Sequence, residues 1–223
     1  MKDRFSGGYR LGLFITFEGC DGSGKSTQAR MLKAYLTEQG HDVVHTREPG
    51  GSPGAEEIRG LILNGDMDRW SPETEILLFT AARRDHVERV IRPTLARGGI
   101  VICDRFADST RVYQGVARAD LRPVVDQLHE LMIGIEPDHT FLLDIDPDES
   151  LNRGLQRIGA EERFESFGAD LQRAIHAGFS RLEDEFPERV HRVSGEGEID
   201  EVFERVRALA DSIISAKSAP TPN

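Results

Sequence analysis

The sequence predicts an α/β fold, a parallel sheet of about five strands with helices on both faces. Two observations carry that expectation. Short apolar or β-branched runs alternate with longer helical patterns along the chain, and a glycine-rich phosphate loop stands between the first run and the first helix. Strands separated by helices pair in parallel through right-handed crossovers.

The strands are expected at 13–17, 43–46, 100–103, 140–144 and 189–193. Four of them are short and flanked by Gly, Pro or charge, as strands buried on both faces require; the fifth, with His191 and Arg192, has the weakest pattern. A helix over 25–39 places Ala29, Leu32 and Leu36 on one face and stops at Gly40. Ser71-Pro72-Glu73 reads as a helix start: a capping hydroxyl, a proline in the first turn, then an acid near the positive dipole end. Asp146-Pro147-Asp148-Glu149 repeats the device, Asp120 is expected to cap a helix through 132, and a last helix is expected over 199–214. Residues 1–10 read as an N-terminal extension and 11–214 as a single domain. Within it, the glycine-bearing, charged stretch 154–168 is expected to be a short mobile lid, and 215–223 a disordered tail.

The chain has 223 residues, enough to bury a core without metals or disulfides. Its 28 Lys and Arg against 39 Asp and Glu leave a net charge of −11. A surface that acidic argues against a nucleic-acid polymer or an anionic membrane as partner, while leaving room for a local basic pocket. Only Cys20 and Cys103 are present, so no disulfide framework or cysteine-rich zinc site is expected, in keeping with a reducing cytoplasm. No run approaches the roughly 18 apolar residues of a membrane span. Lys2, Arg4 and Arg10 before the apolar run 11–17 imitate a signal peptide, but Gly12 and Glu18 interrupt it and a phosphate loop follows where a cleavage site would stand.

That loop, Gly19-Cys20-Asp21-Gly22-Ser23-Gly24-Lys25-Ser26, fits G-x-x-x-x-G-K-[ST] in its required place after a strand and before a helix. Glycines let successive backbone N–H groups turn inward around phosphates, and the helix N-terminus adds partial positive charge. Lys25 then reaches the β- and γ-phosphates, and the Ser26 hydroxyl suits Mg²⁺. Cys20 fills a free position and reads as a tolerated small residue.

The rest of the chain narrows the kind of nucleotide enzyme. Asn64, Asn152 and Asn223 are its only asparagines and none precedes Lys, so the base-reading N-K-x-D of a GTPase is missing. The third strand ends in Asp104-Arg105, where an ATPase motor carries a water-activating Glu. An Arg there suggests a second anionic substrate, with Asp104 holding Mg²⁺ or its waters. Ile76, Phe79, Arg83 and His86 share one helical face. Phe79 alone reads equally well as core; with Arg83 beside it, a pocket for a base is the better reading, since an unpaired buried guanidinium is very costly. His86 reads as a packing or capping histidine. Arg153, Arg157 and Arg163 read either as a solvated face or as lid charges that cover transferring oxygens and exclude water.

Taken together, Phe17-Glu18-Gly19 through Thr27, Thr46-Arg47-Glu48-Pro49-Gly50-Gly51, Leu77-Leu78-Phe79 with Arg83 and His86, and Asp104-Arg105-Phe106 with Asp108-Ser109-Thr110 and Tyr113-Gln114 resemble the thymidylate kinase family, over about residues 11–193. The resemblance implies the P-loop nucleoside-monophosphate kinase fold, a cytoplasmic homodimer, and ATP- and Mg²⁺-dependent phosphorylation of dTMP to dTDP. It implies that Gly19 through Ser26, with Thr27, Arg153 and Arg157, bind ATP, that Ser26 and Asp104 serve the metal, and that Lys25, Asp104, Arg105 and Arg163 are catalytic. It assigns Asp21 to the neighbourhood of the deoxyribose 3′-hydroxyl and Arg47 and Glu48 to the monophosphate site. Arg59 and Arg105 fall to the acceptor phosphate, Phe79 to stacking on thymine, and Arg83 to the O4 edge. Thr110 and Gln114 neighbour the base and sugar, and Tyr113 crowds the sugar 2′ position. Gly22, where eukaryotic-type members carry Arg, together with the lid arginines marks the bacterial type. Phe106 stands where Tyr is common, and Val112 where Ala is usual; its extra bulk either tightens the nucleotide site or is absorbed by the backbone. Two rivals differ in outcome: a kinase for another nucleoside monophosphate or small acceptor, and a regulatory module that binds ATP without transferring phosphate.

Overall fold

The first strand decides the layering. The computed structural model describes residues 12–66, 69–117, 121–147, 149–150 and 169–218; the expected cap Asp120, the expected lid and Arg153, Arg157 and Arg163 lie outside the described residues. Strand β1, Leu13–Glu18, is buried throughout. Leu13, Ile15 and Phe17 join Ala29, Leu32 and Leu36 in one apolar core, while Phe14 points the other way, to Val87, Ile91, Leu95 and Phe106. Period-two alternation with both sets apolar is what a strand covered on both faces needs. On the second face the series runs Phe14, Thr16, Glu18, turning polar toward the strand's C-terminal end, where the phosphate loop begins.

The remaining elements follow as α1 (Lys25–Glu38), β2 (Val43–Arg47), α2 (Pro53–Leu63), α3 (Pro72–His86), α4 (Arg92–Ala96), β3 (Ile100–Asp104), α5 (Ala107–Ala117), α6 (Arg122–Leu128), β4 (His139–Asp144), α7 (Ala169–Glu185), β5 (Val190–Ser194) and α8 (Ile199–Ser218). The five strands are all parallel, in the order β2-β3-β1-β4-β5. Each expected strand is present, displaced by no more than one residue at either end. With β1 central and the chain leaving it in both directions, the crevice at the C-terminal strand ends is where open α/β sheets bind ligands.

Several helix boundaries differ from the expectation for identifiable reasons. Ser71 caps α3 as expected, its hydroxyl accepting from the Thr74 amide at 3.2 Å. Beyond α3 the chain widens into a π-helical turn, Val87–Ile91, before α4. Pro93 there has no N–H to give, and the wider turn spares it the clash that an α-helical continuation imposes. The helix expected to run through 132 is α6 followed by a second π-helical turn, His129–Ile133, closed by left-handed Gly134. The start at Asp146 is present, with its carboxylate accepting from the Glu149 amide at 3.3 Å. Helix α8 continues to Ser218, so 215–218, expected as tail, are helical; the Lys217 ammonium donates to the Gly12 carbonyl. Helix α2 was signalled by Ser52-Pro53 followed by Glu56, the same device as at Ser71, although the sequence reading passed over it.

Candidate active site

The phosphate loop leaves β1 at Gly19, whose φ of +135° and tight seat (an added Cβ would lie 2.4 Å from the Leu143 carbonyl oxygen) both require glycine. Lys25 opens α1 with its side chain folded back, Nζ donating to the Cys20 carbonyl at 2.6 Å. Burial lowers the pKa of this ammonium and Arg105 adds to the effect, while Asp21 and Asp104 work against it. Ser26 donates its hydroxyl hydrogen to the Asp104 carboxylate, which joins the loop to the end of β3. Cys20 packs into a core with Val112, Leu142, Ile175 and Phe179, and burial pushes its thiol up to about 11, as befits a packing residue.

Arg105 lies one residue past β3 in the left-handed region, with φ of +67°. Its Nη1 donates to the Gly19 carbonyl at 3.2 Å and to Ser109 Oγ at 2.9 Å, and its Nη2 donates to Asp21. Tyr113 donates its phenol hydrogen to the other Asp21 oxygen at 3.0 Å. Burial would raise the Asp21 pKa, but Arg105 and Lys25, aided by the Tyr113 bond, hold it down at about 2 against an ordinary 3.8. Since the folded-state value lies below the unfolded one, this carboxylate contributes about 2 kcal/mol at neutral pH, a contribution lost as the pH falls through about 2. Asp21→Asn is therefore expected to destabilise most near neutral pH and progressively less in acid, read from urea midpoints; an offset independent of pH would reject that account.

A second cluster of side chains is built by α3 against α5. Arg83, 4 % exposed, donates from Nε to Glu48 at 2.7 Å and from Nη2 to the Phe106 carbonyl at 3.1 Å and Thr110 Oγ1 at 3.0 Å. Phe79, one turn earlier, is half-buried and is in none of the apolar clusters formed by the described residues. Gln114 comes to the same place, donating to Glu75 at 3.3 Å. Glu48 is buried against Arg83, with its second oxygen 2.9 Å from His86 Nδ1, so the expected monophosphate-site residue is joined directly to Arg83. Against burial, which raises it, Arg83 and His86 keep the Glu48 carboxyl below its usual range. His86 is a packing histidine as expected, fully buried with Nε2 2.8 Å from Thr46 Oγ1. Gly51 lies against that pair: a Cβ there would stand 2.3 Å from Thr46 Oγ1. Arg59 folds onto the same loop, donating to the Pro49 carbonyl at 2.6 Å, and Arg47 is exposed beside Glu56 at 3.1 Å.

The bulk of Val112 is absorbed by Gly178 on α7, where an added Cβ would lie 2.9 Å from Val112 Cγ1. Two groups escaped the sequence reading. Glu18 is a fully buried carboxylate at the end of β1, signalled only by an acid closing an apolar strand. Burial, and then the charge of Asp108, push it up to about 7. Asp108 is held by Arg111, three residues on, at 2.8 Å and by Arg189 at 2.6 and 2.9 Å; the Arg189 contact has no local sequence signal because it spans 81 residues.

A phosphate loop with its Lys and Ser, an acid bonded to the Ser, an arginine at the next strand end and a buried polar cluster on α3 and α5 are the arrangement of a P-loop phosphotransferase. The thymidylate kinase family model matches residues 17–206, and the chain belongs to that family. It is 65 % identical over 191 residues to a thymidylate kinase of Ruegeria pomeroyi, covering 86 % of this chain and 90 % of that protein. It is 62 % identical over 184 residues to one of Dinoroseobacter shibae, covering 82 % and 89 %. The crystal structure of a thymidylate kinase from Ehrlichia chaffeensis superposes with a TM-score of 0.72 at 35 % identity, over 90 % of this chain and 98 % of the other.

Proposed function

We propose that this chain transfers the γ-phosphoryl group of ATP to dTMP, giving dTDP and ADP. The observation that supports the reading most is Arg105, whose guanidinium bonds the phosphate loop at Gly19 and Asp21 and also Ser109 on α5, the helix that carries Thr110 beside Arg83. The acceptor phosphate is already an anionic nucleophile near neutral pH, so positioning and charge stabilisation suffice. Lys25 neutralises donor oxygens, and Arg105 and Arg59 aim the acceptor. Phe79 stacks on the base, and Arg83 turns its remaining nitrogen, Nη1, toward the base carbonyl. Tyr113, fixed by Asp21, crowds the sugar 2′ position. Arg47, Thr110 and Gln114 line the acceptor side, and Arg153, Arg157 and Arg163 supply positive charge to the transferring oxygens.

The donor set fits Mg²⁺: a hydroxyl and a carboxylate in contact, Ser26 and Asp104. Mg²⁺ favours such sparse oxygen sites completed by substrate phosphates. When bound it supplies charge neutralisation at the donor oxygens.

The same reading makes the protein a cytoplasmic homodimer. Leu77 on α3 and Leu131 and Met132 on the π-helical turn packed beside it are exposed apolar side chains suited to a second copy. A monomer in sedimentation equilibrium would reject the dimer. No helix among the described residues is long and apolar enough to cross a membrane.

ADP formation from ATP and Mg²⁺ with a panel of nucleoside monophosphates tests the reaction. Strong stimulation by dTMP with dTDP as product is expected. Stimulation by a different acceptor would overturn the roles of Phe79 and Arg83, and slow hydrolysis indifferent to all of them would leave the regulatory module.

A further inference from the structure

We propose that Glu18 is a positioning residue that holds the Arg105 guanidinium in register with the acceptor, acting through Ser109 and the start of α5. The proposal rests on the dTMP kinase reading above.

Glu18 is fully buried, and among the described residues the bonds of its carboxylate lead to one place. Its Oε1 accepts from the Phe106 amide at 2.7 Å and the Ser109 amide at 3.2 Å, and its Oε2 accepts from the Ser109 hydroxyl at 2.6 Å. These amides are at the start of α5, where N–H groups have no intrahelical partner and the helix end favours negative charge. Ser109, having given its hydrogen to Glu18, can only accept from Arg105, and Nη1 of Arg105 does donate to it at 2.9 Å. The backbone is clamped as well. Arg105 gives its amide to the Phe17 carbonyl at 2.9 Å, and the next amide, Phe106, goes to the Glu18 carboxylate. Between these two anchors Arg105 is held in the left-handed conformation that non-glycine residues avoid. Two successive residues of β1 thus fix both the backbone and the side chain of the arginine that joins the phosphate loop to α5.

A helix cap needs no full burial, and a core position needs no carboxylate, whose desolvation is costly. Both features make sense if the group's task is to orient Arg105. The neighbouring Asp108, which opposes a second negative charge here, is itself paired with Arg111 and Arg189, which offset part of its repulsion.

Steady-state kinetics of the full chain with ATP, Mg²⁺ and dTMP, beside thermal melts, test this in Glu18→Ala, Glu18→Gln and Ser109→Ala. Misplacing a reacting group by an ångström costs roughly 10²-fold, so Glu18→Ala is expected to lower kcat/KM for dTMP about 10²-fold while KM for ATP stays within about twofold. Glu18→Gln, whose amide oxygen still accepts from Phe106, should recover much of the loss. Ser109→Ala cuts only the side-chain link and should move the same constants in the same direction, about tenfold. Wild-type constants in the folded variants, or KM for ATP and dTMP rising together, would overturn the proposal. If Glu18→Ala shows no cooperative melt, Ser109→Ala decides alone. An unmutated enzyme without dTMP-stimulated turnover would instead overturn the functional reading, and this proposal with it.

Discussion

Lys25→Ala is expected to lower kcat by about 10²- to 10³-fold or more while leaving the fold intact. The ammonium is the cation of the phosphate loop, 6 % exposed, and its protein partners are the Cys20 carbonyl and, at 3.4 Å, Ser23 Oγ. Neither bond sets the shape of the loop, which follows from the positive φ of Gly19, Gly22 and Gly24. Removing Nζ therefore takes a charge from the transferring oxygens without releasing the turn. Preorganised charge in a water-poor site is worth far more than in bulk solvent, which is why one group accounts for so large a factor. ADP formation alongside circular dichroism and a melting curve checks both halves. A folded Lys25→Ala protein with near-normal turnover would sink the mechanism.

The largest expected effect on stability is at Arg83. Arg83→Met removes the partner of Glu48 and leaves a buried carboxylate facing only His86, with Thr110 and the Phe106 carbonyl also losing a donor. Breaking one side of a buried ion pair costs roughly 3–5 kcal/mol, more than the pair itself is worth against well-packed apolar residues. Adding Glu48→Gln should restore part of the lost stability by removing the stranded charge, yet should not restore use of dTMP, because the donor proposed for the base is still absent. Urea denaturation of the single and double variants separates these effects. Arg83→Met unfolding at the wild-type midpoint would show that Glu48 finds another partner.

The cluster around Arg83 illustrates what a linear reading reaches. That Arg83 must have a partner was legible, because a guanidinium on a helical face with Ile76 and Phe79 demands one. Which partner was not legible. Glu48, assigned by the resemblance to the monophosphate site, bonds Arg83 and His86, which lie 35 and 38 residues further along the chain. Similarly, the fate of Val112 depended on Gly178, on a helix that the sequence reading had not delimited.

The strands, their parallel order of succession and the phosphate loop were determined by the sequence alone, because each depends on residues adjacent along the chain: alternation within one strand, glycines within one turn, a cap beside its helix. Only the tertiary structure decided which carboxylates hold the site together. Glu18 meets Ser109 from 91 residues away and Asp108 meets Arg189 from 81. A buried charge is tolerable only when its partners surround it, and those partners converge only once the sheet has assembled.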